Sequence, residues 1–127
     1  MSTSTPSARL VITSFPNDGR KLRYFIMALL KSGLVACIQR LNYAKSYYFR
    51  EGELKREEEK ILLIKTIDTN LPAIKQFFAK QHPHKLPEML IFTPETTPEY
   101  LQWLIESPTQ RPVKGTNKNT PPPDKGE

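Results

Sequence analysis

Apolar side chains along this chain change period several times, and each change marks an element. Arg9 to Phe15 (RLVITSF) is rich in β-branched residues and suits a central strand. Pro16-Asn17-Asp18-Gly19 breaks it, and Asn17 or Asp18 is placed to cap a helix by accepting a free amide. Leu22, Phe25, Ile26, Leu29 and Leu30 then keep the i, i+3, i+4, i+7, i+8 spacing of one apolar helix face. Gly33 stands where the chain leaves that helix through a left-handed residue. Leu34 to Ile38 reads as a second strand, bent at Asn42 and resumed from Tyr43 to Arg50. A turn at Glu51-Gly52 returns it through a charged run into Ile61-Leu62-Leu63-Ile64, ending near Thr66.

Asp68-Thr69-Asn70 with Pro72 behind it predicts a capped second helix, whose buried face is Leu71, Ile74, Phe77 and Phe78. Gln81 to Pro87 is a proline-stiffened loop, and Glu88 to Thr93 is the next strand. Thr97-Pro98-Glu99 repeats the cap-plus-proline start, leading into a helix from Tyr100 to about Ser107. The order strand, helix, strand, strand, helix, strand, with one helix added, predicts an α+β, ferredoxin-like βαββαβ fold. Such a sheet carries helices on one face. The hairpin from Ser46 to Thr66 far exceeds the usual strand of about 5–6 residues. Its edge and the open sheet face need cover that a chain this short lacks, so self-association is expected.

At 127 residues the chain is one domain, expected over 9–107. Residues 1–8 are expected to be a disordered arm. The Pro-, Asn-, Lys- and Thr-rich stretch 108–127 is expected to be a disordered tail, having too little apolar surface to offset its ordering entropy. The net charge is +6, and the basic residues are scattered and interrupted by Glu57-Glu58-Glu59. That pattern argues against a nucleic-acid partner, which calls for a basic face. The longest apolar run, Phe25 to Leu30, is far short of a membrane span. The opening residues lack a basic n-region and apolar h-region, so a cytoplasmic location is expected. Cys37 is the lone cysteine and sits in an apolar run, where a small buried hydrophobe is the plain reading.

Several stretches, in order, resemble the CutA family of divalent-cation tolerance proteins. They are Thr13-Ser14-Phe15-Pro16, Leu34-Val35-Ala36-Cys37-Ile38, Tyr47 to Leu54 (YYFREGEL), Ile64-Lys65-Thr66, His82-Pro83 with Pro87-Glu88, and Tyr100-Leu101-Gln102-Trp103-Leu104. The resemblance covers about residues 9–107. It implies a homotrimer of ferredoxin-like subunits with hairpins paired across subunit boundaries, a role in divalent-cation tolerance, and copper binding in some members. It attaches no enzymatic reaction. The ligand positions of copper-binding members map onto Thr13, Glu59 and Gln81, of which only Glu59 keeps a ligating side chain of the family.

Two constellations follow. Glu59, His82 and His84 join carboxylate and imidazole, a donor set suited to copper, zinc or nickel, so a divalent cation such as copper is the candidate cofactor; the alternative is a His-Pro loop that shapes a turn and satisfies backbone groups. Phe49, Glu59, Lys65, His82 and Pro83 are expected to line a cleft between subunits, with Lys65 paired to Glu59. The alternative is a trimeric sensor that uses this cleft for a small anion, a metabolite or a protein partner, without metal. Glu57 and Glu59 share a strand face and Glu58 takes the other. Catalytic motifs such as GxSxG, a P-loop or HExxH are absent from the sequence, so no enzyme is expected.

Overall fold

β1 (Ala8–Pro16) is central because its side chains are buried on both sides of the sheet, as its β-branched run requires. It lies between β3 (Glu53–Ile67) and β4 (Leu90–Phe92), and β2 (Cys37–Arg50) completes an antiparallel sheet of order β2-β3-β1-β4. This is the ferredoxin-like arrangement. The structure, a computed structural model, describes residues 5–110.

Alternation along the strands sorts the two faces. Val11 and Phe15 of β1 with Leu62 and Ile64 of β3 are buried beneath α1 (Gly19–Lys31) and α2 (Leu71–Gln81). The helices add Leu22, Phe25, Leu29, Ile74 and Phe78, the residues their spacing nominates. On the opposite face Ala8 and Ile67 are covered by Leu104 of α3 (Pro98–Glu106). Between them Leu10, Ile12, Ile61 and Leu63 stay half-exposed.

Local chemistry explains most boundaries. Asp18 caps α1, its Oδ1 accepting from Lys21 N at 3.1 Å, and Gly33 leaves with φ of 79°. Thr97 caps α3 by accepting from Tyr100 N. Asp68 and Asn70 do not cap α2 as the sequence suggests. Asp68 Oδ1 accepts from Ser7 N at 2.9 Å and its own N–H reaches Ser7 O, while Asn70 Nδ2 donates to Leu34 O. A three-residue 3-10 turn, Asp68–Asn70, opens the helix instead. Those bonds draw Ser7 and Ala8 into the fold, so the expected arm of 1–8 is too long at its inner end; residues 1–4 lie outside the described residues. Ser107–Gln110 form a second 3-10 turn, and 111–127 of the expected tail lie outside the described residues. No described helix is long and apolar enough to cross a membrane.

The hairpin is a two-stranded arm. β1 pairs with β3 only from Glu59 to Ile67, so Glu53 to Glu58 have β2 alone beside them. Glu51 and Gly52 turn the tip with φ of 52° and 82°, the paired positive angles of a type I′ turn. Near its root β2 is irregular between Leu41 and Ala44. The bend expected at Asn42 falls on Tyr43, which takes φ of 66° while 93% exposed. A left-handed non-glycine residue costs about 1–2 kcal/mol, partly offset on replacement by about 0.5–1 kcal/mol of glycine entropy. Tyr43→Gly is therefore expected to raise folding stability by about 0.5–1 kcal/mol in urea unfolding at fixed protein concentration.

Candidate functional site

His82 follows α2 and is only 7% exposed. Its ring lies 5.2, 5.6 and 5.7 Å from Phe15, Phe25 and Phe78, centroid to centroid. Nδ1 accepts from His84 N at 3.2 Å, so Nε2 carries the proton and donates to Ser14 O at 2.9 Å, with Thr13 Oγ1 3.3 Å away. Burial pushes its pKa below the usual histidine range. The Ser14 carbonyl opposes that shift and the neighbouring His84 adds to it. With both nitrogens engaged and the ring buried, His82 within the subunit matches the turn-shaping reading over that of a ligand or cleft wall: the ring ties the loop after α2 to β1. The same contact occupies the edge of β1 beyond Ile12, where β4 stops. Glu88 and Met89 therefore lie outside the strand, and β4 spans three residues, Leu90–Phe92, where six were expected. The signal was present in the spacing, since Ile74, Phe78 and His82 repeat every four residues and continue the buried face of α2 past its end.

Glu59 and His84 are brought together. His84 Nε2 lies 3.9 Å from Glu59 Oε2, and Ser46 Oγ donates to Glu59 Oε1 at 2.5 Å. Glu59 is largely buried and His84 is partly exposed. The pair sits at the root of the arm, next to a depression of about 160 Å³ lined by Asn17, Tyr43, Lys45, Glu58, Glu59 and Lys60. Among the described residues no three of His, Cys, Asp and Glu converge as a metal cage. One carboxylate and one imidazole remain of the set Glu59, His82 and His84.

The other expected cleft residues are spread along the subunit. Lys65 stands six residues beyond Glu59 on β3, roughly 20 Å at about 3.3 Å per residue, so the two do not pair within a subunit. Lys65 is instead opposite Leu10 and Cys37. Phe49 is at the arm tip opposite Leu54, the two being 74% and 63% exposed. Pro83 lines a different pocket with Gln81, beside α1. Thr13 is fully buried and pairs with Leu62, while Glu59 pairs with Pro16. The positions Thr13, Glu59 and Gln81 therefore do not form one site within a subunit. Tyr48 OH donates to Glu57 Oε1 at 2.6 Å, and that bond raises its pKa, which stiffens the arm and holds the phenol neutral.

A family model described as CutA1 divalent ion tolerance protein matches residues 9–107. The divalent-cation tolerance protein CutA of Pectobacterium atrosepticum is 32% identical over 101 residues, covering 79% of this chain and 91% of that protein. Its namesake from Pyrococcus horikoshii is 30% identical over 98 residues, covering 76% and 94%. The solved structure of CutA from Synechococcus elongatus superposes with a TM-score of 0.74 at 32% identity, covering 81% of this chain and 91% of the other.

Proposed function

The chain belongs to the CutA1 divalent ion tolerance family, and from that premise we propose that it serves divalent-cation tolerance by binding, as a homotrimer holding cations through Glu59 and His84. The observation that carries this reading is a carboxylate and an imidazole 3.9 Å apart at the root of an arm whose outer edge is open. Their chemistry suits copper, zinc or nickel. Two donors about 2.1 Å from one tetrahedral ion stand about 3.4 Å apart. The observed separation is about half an ångström wider, within reach of a side-chain rotation. Two donors from one chain give weak binding, and the remaining positions fall to water or to a neighbouring subunit. The role is binding and not catalysis.

Self-association is supported by three features of the subunit. Glu53 to Glu58 offer an unpaired strand edge. Leu10, Ile12, Ile61 and Leu63 leave the open sheet face half-exposed. β4 exposes Leu90, Ile91 and Phe92 on the opposite edge. Edges of this kind are normally covered, and further copies of the chain supply strands of matching length.

Calorimetric titration with Cu²⁺ and Zn²⁺ tests the cation reading. Saturable heat is expected, weakened at least about tenfold by Glu59→Gln or His84→Asn, the scale of losing one ligand of few. Glu59→Gln keeps the side-chain length and an oxygen to accept from Ser46, and His84 is partly exposed, so neither substitution empties a buried volume. Absence of saturable heat, or heat unchanged in the double variant, contradicts the proposal.

A further inference from the structure

We propose that the pocket between the start of α1 and the loop after α2 binds a small flat aromatic anion, of the aryl carboxylate class. Its volume of about 300 Å³ lies at the lower end of small-molecule sites, about 300–1,000 Å³. The floor is Phe15 and Phe25, edge to face with centroids 5.3 Å apart. Both rings pack on His82 from behind, which fixes the floor. Tyr24 and Pro83 form the sides. An apolar floor bounded by aromatic and proline walls suits a flat ring, which stacks or meets edges without losing hydrogen bonds to water.

Charge decides the second half of the ligand. Arg20 and Lys21 line the pocket and no carboxylate does. The first turn of α1 contains no acidic residue, and the carboxylate that precedes it, Asp18, accepts from the Lys21 amide. The positive charge therefore comes from two side chains whose aliphatic stems extend the apolar wall while their heads reach solvent. An acidic group at the mouth meets a guanidinium and an ammonium, and Gln81 offers an amide beside them. The pocket shares no lining residue with the Glu59–His84 pair and is built from one chain, so it stands whether or not the cation reading does.

The test uses the full-length protein with 2-naphthoate, its neutral isostere 2-naphthamide, and inorganic phosphate, followed by calorimetry. Saturable binding of 2-naphthoate is expected, with 2-naphthamide weaker by about tenfold, the scale of one charge-assisted hydrogen bond. Arg20→Gln with Lys21→Gln should remove that advantage and leave 2-naphthamide unchanged. Tyr24→Ala should weaken both. Arg20, Lys21 and Tyr24 are exposed, so the variants fold. Equal affinity for the two naphthalenes, undiminished 2-naphthoate binding in the double variant, or no saturable binding overturns the proposal. Displacement of 2-naphthoate by phosphate at equal concentration also overturns it, since charge alone would then suffice.

Discussion

Truncating His82 to alanine is expected to destabilise the fold by about 3 kcal/mol, combining a cavity in an aromatic cluster with buried polar groups left unpaired. The ring touches Phe15, Phe25 and Phe78. It also donates to Ser14 O at 2.9 Å, where the other side-chain donor, Thr13 Oγ1, stands at 3.4 Å, and it accepts from the His84 amide. Urea unfolding at fixed protein concentration measures the loss, and a change below about 1 kcal/mol would mean that the ring is peripheral, since ordinary surface substitutions stay within about half that. His82→Phe keeps the aromatic volume and separates packing from hydrogen bonding.

The same residue sets a direction with pH. Burial lowers the pKa of His82 in the folded protein, so the unfolded chain takes up a proton first as pH falls. Stability contributed by the neutral ring is full above the ordinary histidine pKa of about 6.5. It declines as pH drops from there through the lowered folded value. Protonation also removes the Nδ1 acceptor that receives the His84 amide. Thermal melting of the wild type should therefore fall below about pH 6.5 more steeply than that of His82→Phe. Parallel curves would contradict the assignment.

Why His82 was hard to read illustrates how the sequence speaks. The strand β1, the α1 face from Leu22 to Leu29, the Gly33 exit, the Thr97 cap and the Glu51-Gly52 turn were all legible, because each depends on local period or on a backbone angle few residues adopt. His82 carries a weaker mark, the four-residue spacing from Ile74 and Phe78 that runs on past the end of the helix. Its burial depends on Phe15 and Phe25, which arrive from 57 or more positions away. Asp68 and Asn70 misled for a related reason: a capping side chain and a tertiary hydrogen bond use the same atoms, and Ser7 and Leu34 won them. Lys65 and Glu59 cannot pair within one subunit, since six strand residues put their side chains roughly 20 Å apart. Glu59 and His84 met because loop and arm root converge, which periodicity does not encode.

Shortening the arm is expected to have the larger effect on assembly. Ser46 and Glu57 are already cross-strand partners, so deleting Tyr47–Arg50 and Glu53–Arg56 while keeping Glu51-Gly52 preserves register and turn. The deletion removes most of the unpaired β3 edge together with exposed Phe49, Leu54 and Tyr47. It leaves both buried clusters untouched. The variant should retain its far-ultraviolet dichroism per residue and associate at least about a hundredfold more weakly, about 2.8 kcal/mol or more at 1.4 kcal/mol per factor of ten. Retained assembly would assign the interface to the open sheet face and β4 alone. An unfolded variant would show that the arm is needed within the subunit itself.

We propose that the arm is the assembly device that places Glu59 and His84 beside a neighbouring subunit. Light scattering on the wild-type protein at micromolar concentration tests it most directly. The predicted result is the mass of three chains, falling toward one chain in the arm-shortened variant. A wild-type mass of one chain would contradict it.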